Sequence, residues 1–118
     1  MDECCPGNKQ YAKVMWHKNK AILVRRFIPF NEVPAIVEQI VTTVLNPETK
    51  EFYPELRDFA FRAAFVMAYA LVQMPESIED QYELLYTTDL YDVVMKHAFQ
   101  AQVQSIRDAV EMCFRTEL

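Results

Sequence analysis

The sequence predicts a mainly α-helical fold, with an N-terminal β-hairpin followed by a compact bundle of four to five helices. Three observations lead there. Glycine occurs once, at Gly7, whereas sheet-rich folds and phosphate-binding loops need residues that tolerate positive φ. Residues 11–25 alternate side-chain character with period two, as half-buried strands do. From residue 31 onward apolar positions recur at helical spacing, between turns marked by Pro and Asn.

In chain order, Tyr11, Lys13, Met15 and His17 alternate with Ala12, Val14 and Trp16, and Lys20, Ile22 and Val24 alternate with Ala21, Leu23 and Arg25. The polar run His17-Lys18-Asn19-Lys20 supplies the turn, with Asn19 suited to positive φ. Phe27-Ile28-Pro29-Phe30 breaks the strand, and Asn31 is placed to cap a helix that runs to Asn46. Glu38, Gln39, Thr42, Thr43 and Asn46 share its polar face, leaving Val33, Ile36, Val37, Ile40, Val44 and Leu45 on the other. Pro54-Glu55 begins a second helix, expected to reach Met74 before Pro75 and to be the buried centre, because Arg62 is its only charge after Asp58. Ser77 with Asp80 three residues on marks the start of a short helix with Ile78, Tyr82 and Leu85 inward. Asp89 stands ahead of another, on which Leu90, Val93, Val94 and His97 share a face. After a break at Ala98-Phe99, a last helix carries Val103, Ile106, Val110, Cys113 and Phe114.

A length of 118 residues with 52% hydrophobic side chains suits one domain with one real core. Residues 11–118 are expected to form it, hairpin over 11–27 and bundle over 31–118, behind a flexible leader of residues 1–10. Met1-Asp2-Glu3-Cys4-Cys5-Pro6-Gly7 has neither the positive flank nor the apolar stretch of a secretory signal. The longest uncharged run, Ala63 to Pro75, has thirteen residues, short of the roughly 20 that span a bilayer. A cytoplasmic location, with no membrane partner, is the expectation. Three cysteines cannot all pair, and adjacent Cys4 and Cys5 would make a strained disulfide, so a reducing compartment fits.

Catalytic chemistry finds no constellation to rest on. Serine occurs at Ser77 and Ser105 only, one a cap and the other on a polar helical face. Cys113 lies on an apolar stripe where a thiol behaves as a small hydrophobe. His97 at a helix C-terminus and His17 beside the hairpin tip both have structural readings. No second Cys or His pair completes a metal site with Cys4 and Cys5. The expectation is a non-enzyme with no catalytic residue, no metal and no cofactor.

Charge distribution is more informative. Residues 1–26 carry six basic and two acidic side chains, a local +4, and the remainder six basic and fifteen acidic, a local −9. A basic hairpin on an acidic helical body suits pairing with another protein, including a second copy of the chain, although ordinary surface scatter gives the same count. The candidate contact residues are Trp16, Lys18, Lys20, Arg25, Arg26, Phe27 and Phe30, with Phe52 and Tyr53 adjoining. Trp16 has an equal alternative, packing the hairpin onto the bundle. A pI near 5.0 and the acidic body argue against nucleic acid as partner.

The order of elements resembles small morphogenesis proteins of tailed bacteriophages, including tail assembly chaperone-like ones, in which an N-terminal hairpin leads through a Pro-containing turn into a helical bundle. Lys20-Ala21-Ile22-Leu23-Val24, Phe27-Ile28-Pro29-Phe30, the run Asp58 to Tyr69 and the run Thr88 to Val94 carry the similarity, which extends over residues 11 to 114 without an invariant signature. It implies a protein-binding assembly or virion-associated component. A different class fits the same features: a small mobile-element inhibitor that binds and blocks a host defence protein such as a nuclease.

Overall fold

The computed structural model describes residues 11–16, 20–46, 48–49 and 51–117, and among these the chain passes through a three-stranded antiparallel sheet and five α-helices. The hairpin pairs β1 (Tyr11–Trp16) with β2 (Lys20–Arg25) in the register Val14 opposite Ile22 and Trp16 opposite Lys20. Its turn, with His17, Lys18 and Asn19, lies outside the described residues, as do Cys4 and Cys5. Residues two apart share a face. Trp16 and Val24 are buried on one face, while Lys13, Met15, Ala21 and Leu23 on the other are exposed.

Helix α1 spans Val33–Val44. Asn31 does not cap it. Instead a 3-10 turn, Phe30–Glu32, feeds the chain straight into the helix, Glu32 stands at the N-cap without a side-chain capping bond, and Pro34 fits the first turn, where no intrahelical donor is missed. Ile36, Ile40 and Val44 are buried, whereas Val33, Val37 and Val41 remain only half-buried. The helix stops two residues before Asn46 because Leu45 turns extended and bridges to Phe52, with Tyr53 N–H donating to Val44 O at 2.7 Å.

Helix α2, Arg57–Tyr69, is the central element: Phe59, Ala60, Phe61, Ala63, Ala64, Phe65, Val66 and Tyr69 are all buried. It packs on α1 and on two later helices, α3 (Ile78–Thr87) and α4 (Leu90–His97). It ends five residues earlier than the apolar run suggests. At Ala70 the backbone becomes extended, and Ala70–Leu71 form β3, pairing with Val24 and Leu23 of β2. Ala70 is a small apolar residue buried where it lies, so its hydrophobicity alone does not specify helix or strand. The unpaired backbone groups along β2 decide it, a long-range preference that helical periodicity does not carry.

Ser77 caps α3 as expected, its Oγ accepting from Asp80 N–H at 3.0 Å. Leu85 is buried, but Ile78 and Tyr82 are 60% and 55% exposed rather than inward. In α4, Leu90 and Val94 are buried and His97 is exposed at the helix end. The break at Ala98-Phe99 leads to α5, Gln100–Glu117, which buries Val103, Ile106, Val110 and Phe114 and half-buries Cys113. No helix among the described residues is long and apolar enough to cross a membrane.

With Phe65 fully buried at the heart of α2, Phe65→Ala is expected to cost roughly 3–5 kcal/mol of stability. Chemical denaturation measures it, and an unchanged midpoint would contradict the placement of α2 at the centre.

Candidate functional site

Between the end of β2 and the start of α1, the linker of residues 26–29 runs across the start of α5. A strand that leaves its sheet must still satisfy its backbone groups where they are buried. Here α5 supplies the partners. Phe99 N–H donates to Arg26 O at 2.8 Å. The Gln102 carboxamide takes Ile28 at both ends, Oε1 accepting from Ile28 N–H and Nε2 donating to Ile28 O, each at 2.8 Å. Tyr69 O–H donates to the same Oε1 at 2.8 Å. Ile28 itself is completely buried.

A linker held this way turns its neighbours outward. Phe27 is 53% exposed and Phe30 86%. Phe27 and Phe99 pair with ring centroids 6.2 Å apart, and the Arg26 guanidinium lies 5.2 Å from the Phe99 centroid, within cation–π range. Phe27, Phe30 and Phe99 open on a cavity of about 330 Å3 closed below by Val33, Gln102 and Ile106. Arg26 also lines a second cavity of about 330 Å3 with Lys96, His97, Ala12 and Val24. Among the described residues, no carboxylate forms an ion pair with Arg26, Lys96 or His97. Val33 further connects the aromatic cavity with an apolar groove of about 550 Å3 between α1 and α5, where Val37, Val41, Leu45, Ala109 and Cys113 are half-exposed or line the walls.

The other sequence candidates divide. Trp16 is buried in the hydrophobic core, so the packing alternative describes it, and the Lys20 ammonium sits 5.7 Å from its ring centroid. Lys18 lies outside the described residues. Arg25, expected at the surface, is only 9% exposed: its Nε donates to Ala68 O at 3.0 Å and its Nη2 pairs with Glu32 Oε1 at 2.6 Å. A cation at the carbonyl end of α2 is favoured by the helix dipole, and this residue ties sheet, α1 and α2 together rather than meeting a partner. Phe52 packs edge-on against Phe114, and the Tyr53 hydroxyl donates to Glu51. Thus Arg26, Phe27 and Phe30 are brought together, and they are joined by Phe99, Lys96 and His97, which sequence reasoning did not place there. Phe99 sits in the break between two helices, where periodicity assigns no face.

Elsewhere several charged groups are engaged in the fold. Asp58 accepts from Arg62 Nε at 2.8 Å and from the Tyr86 hydroxyl at 2.5 Å. Arg62 lies between the rings of Tyr86 and Tyr91, 4.4 and 4.6 Å from their centroids, and Arg107 donates to Tyr91 O–H at 3.0 Å while covering Phe61. Arg57 pairs with Glu111 and stacks on Phe114. No group of three or more His, Cys, Asp or Glu side chains able to hold a metal ion occurs among the described residues. No family model, curated protein or solved structure matches the chain.

The Asp58 knot sets a pH dependence. Partial burial pushes the Asp58 carboxyl up, but the hydrogen bonds from Tyr86 and Arg62 and the charges of Arg62 and Arg107 together outweigh it, leaving the carboxyl below its ordinary value. Burial first, then Asp58, pushes Tyr86 up to about 12, and burial raises Tyr69 to about 12 as well. A depressed carboxyl contributes stability above the ordinary carboxylate range and loses it as pH falls through the folded value. A raised phenol contributes stability below 10.0 and loses it as pH rises toward 12. Stability is therefore expected to fall at both extremes, with Asp58→Asn weakening the acid-side dependence. Phenolate absorbance of the folded protein should show late titration, reduced by one group in Tyr69→Phe and in Tyr86→Phe. Ionisation of both phenols at the ordinary value while the protein stays folded would contradict these environments.

Proposed function

We propose that this chain is a non-enzymatic protein-binding protein that engages its partner through the surface built by Arg26, Phe27, Phe30 and Phe99. One observation carries the reading: Phe27 projects from, and Phe30 directly follows, a linker whose backbone is anchored by Gln102 of α5 and by Phe99 just ahead of it, so their exposure is fixed by the architecture. Covering an exposed Phe ring releases roughly 1.5–3 kcal/mol, and rigid aromatics beside an arginine are the side chains on which binding energy concentrates. Two of the groups that nucleophilic or acid–base catalysis could draw on have structural duties, Ser77 as a cap and Asp58 within its knot.

The resemblance to tailed-phage morphogenesis proteins supports a phage-type assembly or virion-associated role. Inhibition of a host defence protein is the second reading. It shares the same surface and differs in partner, which gene neighbourhood separates: tail and capsid genes favour assembly, a regulator-linked early operon favours inhibition.

Affinity capture from source or infected cells supplies the partner, and Phe27→Ala with Phe30→Ala is expected to weaken its binding by at least about 30-fold, corresponding to one hot spot of about 2 kcal/mol. The melting transition should be retained, because both rings are exposed. Unchanged affinity with an intact fold would place recognition elsewhere. Reversing the charge of Lys18 and Lys20 tests the hairpin tip separately, by the rate of association at low salt.

A further inference from the structure

The aromatic-basic surface has a counterpart on the same molecule. On α3, Ile78 and Tyr82 are more than half exposed, and with Leu56 and Phe59 they line a cavity of about 350 Å3 that also includes Glu55 and Glu79. Tyr82 stacks on Tyr86 at 4.5 Å and tilts against Phe59 at 6.3 Å, so its ring is held in place. Among the described residues neither Glu55 nor Glu79 forms an ion pair. Each surface thus combines aromatic rings, a shallow cavity and charges that enter no ion pair among the described residues, and the charges are opposite in sign.

Their positions matter as much as their chemistry. The acidic surface packs against Phe59, near the start of α2. The basic surface is anchored through Gln102 to Tyr69, at the end of α2. Those anchors lie ten positions apart along the helix, roughly 15 Å of rise. A molecule cannot bring its own two surfaces together across its central helix, but two copies can.

We infer that the chain self-associates head to tail, the Arg26–Phe27–Phe30–Phe99 surface of one copy covering the Ile78–Tyr82 surface of the next, with Arg26 and Lys96 opposite Glu55 and Glu79. The inference rests on the protein-binding reading above and names a second copy as the partner. Because the two halves of the contact differ, the interface is heterologous. Each dimer keeps one free surface of each kind, and growth proceeds to a ring or an open filament.

Sedimentation of the purified full chain tests this. For the wild type, the mean mass is expected to rise with concentration at low salt and to fall when salt screens the opposed charges. Phe30→Ala with Lys96→Ala loses only the basic surface, and Glu79→Ala with Tyr82→Ala loses only the acidic one, so each variant should be monomeric. An equimolar mixture should give a one-to-one dimer and nothing larger, since one intact contact forms and no further copy can add. That dimer also shows that both variants are folded. A wild type that stays monomeric up to roughly millimolar concentration, variants that each still self-associate, or a mixture that stays monomeric while the wild type associates would overturn the inference. A monomeric wild type whose capture of another protein is still abolished by Phe27→Ala with Phe30→Ala overturns self-association and leaves the protein-binding reading standing. Unchanged capture by that variant removes both.

Discussion

The carboxamide of Gln102 occupies the place where another strand would otherwise pair. After Arg25 the chain must leave the sheet, since Pro29 has no N–H to continue a ladder, yet Ile28 remains fully buried. Its N–H and C=O, partly buried, then need partners other than a neighbouring strand. A carboxamide offers a donor and an acceptor at backbone-like spacing, and Gln102 uses both on Ile28 and its second lone pair on Tyr69. Only one orientation of the amide satisfies all three contacts. Leaving a buried N–H or C=O without a partner costs about 1–3 kcal/mol each, so this side chain fixes the path between sheet and bundle. The direction of Phe27 and Phe30, the seating of α1 and the approach of α5 to the end of α2 all follow from that path.

Two populations of charge result. Arg25 with Glu32, Arg57 with Glu111 and Arg62 with Asp58 bind one element to another inside the molecule, several of them against aromatic rings. Arg26, Lys96, Glu55 and Glu79 enter none of the ion pairs among the described residues; Glu55 and Glu79 border the cavity that holds the exposed Tyr82 ring, and Arg26 and Lys96 border a separate cavity, Arg26 lying against the Phe99 ring. Partly buried, hydrogen-bonded pairs contribute to stability and hold geometry, while charges at a cavity rim act mainly on encounter and specificity. The sequence-wide asymmetry of a basic N-terminal region and an acidic body therefore overstates the charge open to a partner, because Arg25 counts toward it while being buried and paired with Glu32.

What the sequence made legible was local. Period-two alternation placed both hairpin strands within a residue or two, Ser77 with Asp80 marked the start of α3, and the break at Ala98-Phe99 separated α4 from α5. What it hid was decided by distant partners. Ala70–Leu71 became a strand because β2 was adjacent, Arg25 was drawn inward by Glu32 and the Ala68 carbonyl, and Asn31 lost the capping role to a 3-10 turn. Ile78 and Tyr82 fell on the apolar side of a helical wheel but outside the area α2 could cover. The site was half legible: Arg26, Phe27 and Phe30 were named as a contiguous segment, while Phe99, Lys96 and His97 arrive from some seventy residues further along the chain. No local signal marks Gln102, an ordinary polar residue in the first turn of an amphipathic helix.

The most direct test of this organisation is the native-state hydrogen exchange of the Ile28 amide in wild type and Gln102→Leu, a change that keeps the apolar bulk and removes both amide functions. Strong protection of Ile28 N–H in the wild type is expected to fall at least about tenfold in the variant, with the loss concentrated in residues 26–30 and the amides of α2 much less affected. Equal protection in the two proteins would show that Gln102 does not hold the linker, and the fixed projection of Phe27 and Phe30 would lose its physical basis.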